Sequence, residues 1–295
     1  MTEQYMTYGI LVVLGALLGS YAAATVWRLR AKQLTYDEAQ GEKVSAADKK
    51  QIAHLQKKSA LADRSVCLAC GRQLAWYELL PVISWLALRG KCRTCKAKIG
   101  ATEFLAEVGL ATAFALSFAF WPHGFETGVQ QAMFVTWLAV LVLLAIHWMY
   151  DMKWQFLLNK ITVFISLLAA MFAVLYYFSY QLEWSSYLVQ LGLLLLILPG
   201  FYGLLYAASR RKWVGLGDVY LLVPFALMLG SWEYGVLLIF LANFIGTLVV
   251  LPGIVTKKLT RLTRVPFGPF LIAGFVVTML FGHYIVTFYT QSLLL

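Results

Sequence analysis

All four cysteines of the chain fall in one stretch and could bind a metal ion together. They form two Cys-x-x-Cys pairs, Cys67 with Cys70 and Cys92 with Cys95, and 21 residues separate the pairs. A spacing of two residues lets one turn present both thiolates to the same ion, so two turns supply four tetrahedral ligands. Gly71 follows the first pair, where a tight turn often needs a positive φ. The spacing predicts a structural zinc site without an open position for substrate, and two disulfides or four free thiols are the alternatives.

Two aspartates are candidates for acid–base chemistry. Asp151 follows a long apolar run, and Asp218 closes a Gly-x-Gly-Asp motif that begins with Gly215 and Gly217. If the two carboxylates meet, repulsion makes them share one proton. One can then take a proton from water while the other donates a proton to a peptide carbonyl oxygen, as in an aspartic protease. The glycines permit a bent backbone and the close approach of an extended substrate. The alternative is that both aspartates are solvated residues at helix ends.

Membrane-spanning helices are the elements that must position these residues. The chain has 295 residues, of which 61% are hydrophobic and 13% charged, and its mean hydropathy is +0.74. A soluble domain is about half apolar and about a quarter charged, so this composition excludes a soluble globule. Apolar runs that approach or reach about 20 residues predict spans, because that length crosses a bilayer. The predicted spans are roughly 6–27, 103–121, 132–150, 161–180, 187–208, 219–231, 235–255 and 269–290.

The positive charge of the chain is confined to alternate connections between these spans. The net charge is +10, and all 24 Lys and Arg residues lie in four segments. These segments are residues 28–100, 151–160, 209–212 and 257–264, which follow the first, third, fifth and seventh spans. The positive-inside rule places all four in the cytoplasm and both termini outside. The distribution of the positive charge therefore indicates the membrane topology, and no nucleic-acid partner is expected.

The same pattern predicts the domain organisation. We expect a first transmembrane helix in residues 1–27, a cytoplasmic loop with the tetracysteine domain in residues 28–100, and a transmembrane aspartic peptidase domain in residues 101–295. The predicted fold is an all-α polytopic membrane protein with about eight transmembrane helices and a small zinc-ribbon-like domain in the first loop. Disulfides rarely persist in the reducing cytoplasm, which favours metal binding by the cysteines. Acidic Glu3 precedes the first span, and no small-residue cleavage site follows it, so we interpret this span as retained.

Several further motifs carry a family resemblance that covers nearly the whole chain. The sequence resembles the bacterial type IV prepilin leader peptidases, the Gly-x-Gly-Asp aspartic proteases of the inner membrane. The matching residues are Gly19-Ser20-Tyr21 with Arg28, Trp76-Tyr77-Glu78, Pro81-Val82-Ile83-Ser84-Trp85 and Arg89-Gly90 within the cysteine stretch, Glu107, Asp151, Gly215-Leu216-Gly217-Asp218, and Pro266-Phe267-Gly268-Pro269-Phe270-Leu271.

The resemblance implies an activity, its cofactors and its substrates. Such enzymes cut the basic leader from prepilins or pseudopilins on the cytoplasmic face, after a glycine, and many then methylate the new N-terminus with S-adenosylmethionine. By the same resemblance, Asp151 and Asp218 are the catalytic pair and the four cysteines hold a structural zinc ion. From the residues alone, the proline-containing turn before the last span either lines the site or simply starts the helix. The residues expected to support the site are Gly215, Gly217, Pro266, Gly268 and Pro269.

The chain departs from the family pattern at a few positions. Leu157-Leu158-Asn159 stands where the family usually has Leu-Pro-Asp, and Tyr220 stands where it often has lysine. Ala23 and Leu79 replace asparagines of two other motifs. No departure removes a proteolytic carboxylate, but all of them bear on its hydrogen-bonding surroundings and on methylation, which rests on the resemblance alone.

Three more polar residues are candidates for supporting roles. His147 lies one turn before Asp151 on the same helix face, and it either hydrogen-bonds the aspartates or packs against a neighbouring helix. We expect Glu78 or Glu107 to attract the positive charges of a leader, and a helix-end salt bridge is the alternative for Glu107.

Three other functions compete with leader cleavage. A presenilin-like intramembrane protease also uses the Gly-x-Gly-Asp motif. Such enzymes are expected to show a Pro-Ala-Leu motif near the last spans, which this chain does not contain, and they lack the tetracysteine loop. A transporter with the aspartates as ion sites explains the helices and not the cysteines. A membrane-anchored zinc module that recruits a partner explains the cysteines and leaves the aspartates without a role.

Overall fold

Helices form nearly all of the regular structure. The computed structural model describes residues 2–42, 44–52, 54–55, 64–258 and 265–293. Within these residues the chain forms two compact units, Met1–Ala115 and Leu116–Leu295. The described β-structure consists of two isolated bridges in the cysteine stretch. Parts of the predicted basic segments, residues 43, 53, 56–63 and 259–264, lie outside the described residues.

Eleven α-helices follow one another in the described residues. They are α1 Thr2–Ala39, α2 Ala46–Ile52, α3 Ile83–Ala87, α4 Ala101–Ala119, α5 Gly128–Trp154, α6 Asn159–Tyr180, α7 Trp184–Leu195, α8 Phe201–Ala208, α9 Leu216–Leu229, α10 Trp232–Val255 and α11 Gly268–Leu293. A 3-10 turn forms at Trp76–Leu79, and a π-helical turn at Leu196–Gly200 joins α7 and α8 into one continuous helix.

The predicted multi-pass, all-helical fold is confirmed. Each predicted span overlaps a helix, and seven described helices are long and apolar enough to cross a membrane. The predicted sixth span corresponds to α9, which has 14 residues and contains Pro224. At 1.5 Å per residue this helix is about 21 Å long, shorter than the ~30 Å of a hydrocarbon core. Length alone therefore does not identify α9 as a span, whereas the segregation of the charges counts it as one, and the helix begins at the Gly-x-Gly-Asp motif.

The first helix is longer than its predicted span. It continues to Ala39, where Ala31 and Leu34 are buried against Ile52 of α2. The hydrophobic pattern marks only the apolar part of the helix, so the extension could not be found from hydropathy. The domain boundaries at residues 27/28 and 100/101 stay a prediction.

In the first unit, two glycines bring the backbones of α1 and α4 together. A β-carbon on Gly15 would lie 2.7 Å from Cα of Ala111, and one on Gly19 would lie 2.7 Å from Cα of Glu107. These glycines form a Gly-x-x-x-Gly pattern, which permits close helix packing in membranes. Near the other end of the contact, the Trp27 indole donates a 3.0 Å hydrogen bond to Glu103.

In the second unit, aromatic side chains fill the space between α5, α9 and α11. Phe225 and Phe275 stack with ring centroids 3.9 Å apart, and Trp137 contacts Phe275 edge-on at 5.7 Å. The Trp137 indole donates a 2.8 Å hydrogen bond to Ser117, which satisfies its buried N–H group. This packing fixes the three helices that position the two aspartates and the turn before α11.

Candidate active site

The C-terminal end of α5 positions Asp151. The helix starts at the cap residue Thr127, whose hydroxyl accepts a 3.2 Å hydrogen bond from the Gln130 backbone N–H. It ends at Gln155, which adopts a left-handed conformation with φ 53° and donates its N–H to the Asp151 carbonyl. Only 5% of the Asp151 surface is exposed. Its carboxylate accepts a hydrogen bond from the backbone N–H of Gly268.

The N-terminus of α9 positions Asp218. Gly215 is the cap residue, and its backbone N–H donates a 3.2 Å hydrogen bond to the Asp218 carboxylate. This bond satisfies a backbone donor at the start of the helix and fixes the rotamer of the aspartate. Asp218 is buried, and its neighbour Gly217 packs on Leu157, the side chain that also lies beside Gly268 and the Asp151 carboxylate. The structure therefore brings the two predicted aspartates into one buried site.

Leu157 holds the two halves of this site together. A β-carbon on Gly217 would lie 3.0 Å from Cβ of Leu157. A β-carbon on Gly268 would lie 3.3 Å from Cδ2 of Leu157 and 2.7 Å from Oδ2 of Asp151. Both glycines are thus needed for close approach, one to the leucine and one to the carboxylate itself. Sequence reasoning named both glycines but gave Leu157 only as part of a departure from the family pattern.

The proline-containing turn both starts α11 and contacts the site. Pro269 lies in the first turn of α11, where a missing N–H costs nothing, and Pro266 precedes the helix. The Phe267 ring stacks on Tyr202 with centroids 5.9 Å apart. The Tyr202 hydroxyl accepts a 3.3 Å hydrogen bond from Asn243. No sequence signal distinguished Tyr202 or Asn243 from other residues of apolar helices.

Other polar candidates point elsewhere. His147 is fully buried, and its Nε2 lies 3.0 Å from the Thr162 hydroxyl on α6. This contact agrees with the alternative that His147 packs against a neighbouring helix. Asn159 is the exposed first residue of α6, and Tyr220 is exposed on α9. Neither of these two departures from the family pattern is therefore buried with the carboxylates.

The four cysteines form a site that suits a metal ion such as zinc. Their sulfur atoms all lie within 4.8 Å of one another, and Sγ of Cys67 and Sγ of Cys95 are 3.8 Å apart. A tetrahedral site with Zn–S bonds of about 2.3 Å has sulfur–sulfur edges of about 3.8 Å, whereas a disulfide needs about 2.05 Å. The thiols are free of disulfides, so the geometry fits the metal prediction.

The two cysteine turns share one backbone geometry. Gly71 donates its N–H to the Cys67 carbonyl and has φ 69°, as predicted. Lys96 occupies the matching place in the second turn, donating to the Cys92 carbonyl with φ 57°. Burial raises the pKa of the Cys92 thiol, but the N–H groups of Cys95 and Thr94, together with hydrogen bonds from the thiols of Cys67 and Cys95, outweigh it and hold that pKa at about 6. These N–H groups stabilise the thiolate that a metal requires.

The acidic residues near the cysteines, Glu78 and Glu107, accept hydrogen bonds from other residues of the first unit. Glu78 accepts a 2.6 Å hydrogen bond from Arg72 and a 2.9 Å bond from the Ala75 N–H. Arg72, followed by the Ala75 N–H, holds the pKa of Glu78 below its usual range. Glu107 accepts a 2.7 Å hydrogen bond from the N–H of Val82, a β-branched residue with φ 63°. Both carboxylates are buried in structural contacts.

The chain matches known protein families and named relatives over most of its length. A bacterial peptidase A24 N-terminal domain model matches residues 13–121, and a type IV leader peptidase family model matches residues 137–251. A relative from Burkholderia pseudomallei, named prepilin leader peptidase/N-methyltransferase, is 31% identical over 94% of this chain and 86% of its own. The chain belongs to the type IV leader peptidase family. Relatives with the same name from Stutzerimonas stutzeri and Bacillus subtilis are each 28% identical, over 95% and 80% of this chain and 92% and 89% of their own. No solved structure matches the chain.

The two family models divide the chain much as the two sites do. The N-terminal model contains all four cysteines, and the leader peptidase model contains Asp151 and Asp218. The turn that carries Gly268 lies beyond residue 251, where the second match ends. This turn nevertheless supplies the N–H that binds Asp151, so the site of this leader peptidase family member extends past the matched segment.

Proposed function

We propose that this protein cleaves the basic leader from prepilins or pseudopilins with Asp151 and Asp218 as its catalytic pair. The observation that carries the proposal is one buried site that holds a carboxylate from each of two helices, in a chain that belongs to the leader peptidase family. A presenilin-like protease, a transporter and a recruiting module are less well supported, because none accounts for both the aspartates and the cysteine turns.

The reaction follows from the chemistry of the pair. The ionised carboxylate takes a proton from a water molecule, which attacks the carbonyl carbon of the scissile peptide, while the protonated carboxyl donates its proton to the carbonyl oxygen. The tetrahedral intermediate collapses when the amide nitrogen is protonated and the C–N bond breaks. Gly268 and Gly215 each hold one carboxylate by a backbone N–H, so both side chains are oriented before the substrate arrives.

The proposed cofactors are a structural zinc ion and S-adenosylmethionine. Zinc would be held by Cys67, Cys70, Cys92 and Cys95, and four thiolates leave it no position for substrate. S-adenosylmethionine is proposed as the methyl donor because relatives of this chain are named N-methyltransferases.

Loss of one cysteine is expected to empty the zinc site. Cys70→Ser should lower the metal content of the purified chain from about one zinc ion per chain to less than roughly a tenth of that, because a hydroxyl is a poor zinc ligand. Mass spectrometry of the metal content measures this. Thr94→Ser, inside the second cysteine turn, is the matched control and should keep its zinc. Equal zinc in both variants would contradict the tetra-thiolate site.

The proposed location is the inner membrane, with both termini outside and the cysteine turns in the cytoplasm. The confinement of all 24 Lys and Arg residues to alternate connections supports this orientation. A phosphatase fused to the C-terminus, active only outside the cytoplasm, tests it: an inactive fusion at normal protein levels argues against the orientation.

The proposed activity is tested by the mass of a processed substrate. Co-expression with a tagged prepilin should yield a product that lacks its leader and carries one additional methyl group on the new N-terminus. A strain without the protein is the control. An uncleaved prepilin, with the peptidase present in the membrane, would contradict leader cleavage. A cleaved product without the methyl group would remove only the methyltransferase activity.

A further inference from the structure

The segment between the two cysteine turns exposes an unusual amount of apolar surface. Trp76 is 76% exposed, Ile83 65% and Leu86 56%. We call the exposed set the apolar ridge, and it consists of Trp76, Tyr77, Leu79, Leu80, Ile83 and Leu86. A contiguous apolar patch on a water-facing surface usually marks a binding site for a partner or a membrane.

The depth of the ridge is set by two residues within the same segment, Val82 and Trp85, which contact the membrane-spanning helix α4. The Val82 N–H donates to Glu107 at 2.7 Å, and Trp85 stacks on Phe104 with centroids 4.5 Å apart. Glu107 is the seventh residue of the 19-residue α4, so it lies about 9 Å along that helix. A helix of this length is about 28 Å long, so its whole length must lie in the ~30 Å hydrocarbon core if it is to cross the membrane. The segment that carries the ridge is therefore held within the leaflet at which α4 begins.

The charge around the ridge has one sign. Residues 64–100 contain seven Lys and Arg but only one acid, Glu78, which is bound to Arg72. A zinc tetra-thiolate would remove only two of the remaining positive charges. Arg93 donates a 2.6 Å hydrogen bond to the Tyr77 hydroxyl and lies 5.5 Å from the centre of its ring, which joins the cations to the ridge. The exposed cations are Arg64, Arg89, Lys91, Arg93, Lys96 and Lys98.

We propose that the apolar ridge is embedded in the leaflet at which α4 begins, and that this leaflet is anionic. Tryptophan, tyrosine and aliphatic side chains occupy the boundary between headgroups and acyl chains, and the neighbouring cations bind lipid phosphates. A basic leader peptide is a poorer occupant, because the same cations repel it. The embedded ridge holds the cysteine turns against the membrane surface, and it does so whether or not the protein is a peptidase.

Photo-crosslinking to lipid tests the embedding directly. The full-length protein, in nanodiscs with phosphatidylglycerol, carries a benzophenone side chain at position 83 in place of Ile83 or at position 40 in place of Gln40. Gln40 is exposed beyond the end of α1, whose 38 residues are about 57 Å long and extend out of the bilayer. We expect roughly tenfold more lipid adduct at position 83, because burial of one apolar side chain favours insertion by about that factor.

The outcomes of this experiment separate lipid from other partners. Equal lipid adduct at the two positions would overturn the proposal. So would adducts at position 83 that shift from lipid to a prepilin when prepilin is added, because the ridge would then be a substrate surface. Zinc content equal to that of the unmodified protein controls for the fold of the cysteine turns.

Hydrogen exchange of the unmodified protein is a second test that needs no variant. Backbone amides of residues 76–88 should exchange roughly fivefold more slowly in phosphatidylglycerol nanodiscs than in phosphatidylcholine nanodiscs, since each cation near an anionic surface favours contact by about that factor. The double variant Trp76→Ser and Ile83→Ser should lose this difference. Identical exchange of the unmodified protein in both lipids would overturn the role of anionic lipid.

Discussion

Replacing either Asp151 or Asp218 with asparagine is expected to slow leader cleavage by at least roughly a thousandfold. Asparagine keeps the size of the side chain and can still accept the N–H of Gly268 or Gly215, so the fold should survive. It removes the ionisable oxygen, and the pair can no longer take one proton from water while it gives another to the carbonyl oxygen. The initial rate of cleavage of a purified prepilin by the full-length protein measures the loss.

The combination of the two substitutions tests whether the aspartates act as a unit. Groups that act together are strongly non-additive, so the double variant should be no slower than the slower single variant. Glu183→Gln is the matched control, because Glu183 is an exposed carboxylate just before α7, and it should keep the wild-type rate. If either aspartate variant kept most of the wild-type rate while the control behaved as expected, the pair would not be the catalytic group.

Short-range chemistry was predictable from the sequence. The Cys-x-x-Cys spacing predicted that the four sulfurs cluster as a metal site requires, because both sulfurs of a pair lie on one turn, and the positive φ of Gly71 followed from the same turn. The spans were predictable because about 20 apolar residues have few folded alternatives outside a bilayer. The aspartates were found because ionisable residues are rare near apolar runs.

Long-range contacts could not be predicted in the same way. The alternatives for Glu107, a role toward the leader or a helix-end salt bridge, did not include the Val82 N–H, 25 residues away in sequence, that binds its carboxylate. Leu157 is an ordinary apolar residue whose importance comes from two glycines that are distant in sequence. The Gly-x-x-x-Gly pattern of Gly15 and Gly19 is visible in the sequence, but the sequence does not show that α4 is the helix it packs against. Each of these depends on which segments meet, and hydrophobic periodicity does not determine that.

Gly268→Ala is expected to lower kcat for leader cleavage by roughly a hundredfold, because a misplacement of about 1 Å at a reacting group has that effect. The added β-carbon would lie 2.7 Å from Oδ2 of Asp151, which is closer than real β-carbons approach any heavy atom. The carboxylate must therefore move, while the substrate-binding surface elsewhere is unchanged. We expect KM to stay near its wild-type value. The measurement is steady-state kinetics on a purified prepilin.

The matched control for this prediction is Gly192→Ala in α7, where an added β-carbon meets no atom within 4 Å. Alanine is favoured over glycine inside a helix by about 1 kcal/mol, so neither substitution should destabilise its helix through backbone preference. Gly217→Ala should give a smaller loss than Gly268→Ala, because its β-carbon would meet Leu157 at 3.0 Å and not a carboxylate. Wild-type kcat for Gly268→Ala would show that the turn before α11 does not position Asp151, whereas a loss shared with Gly192→Ala would reflect general instability of the helices.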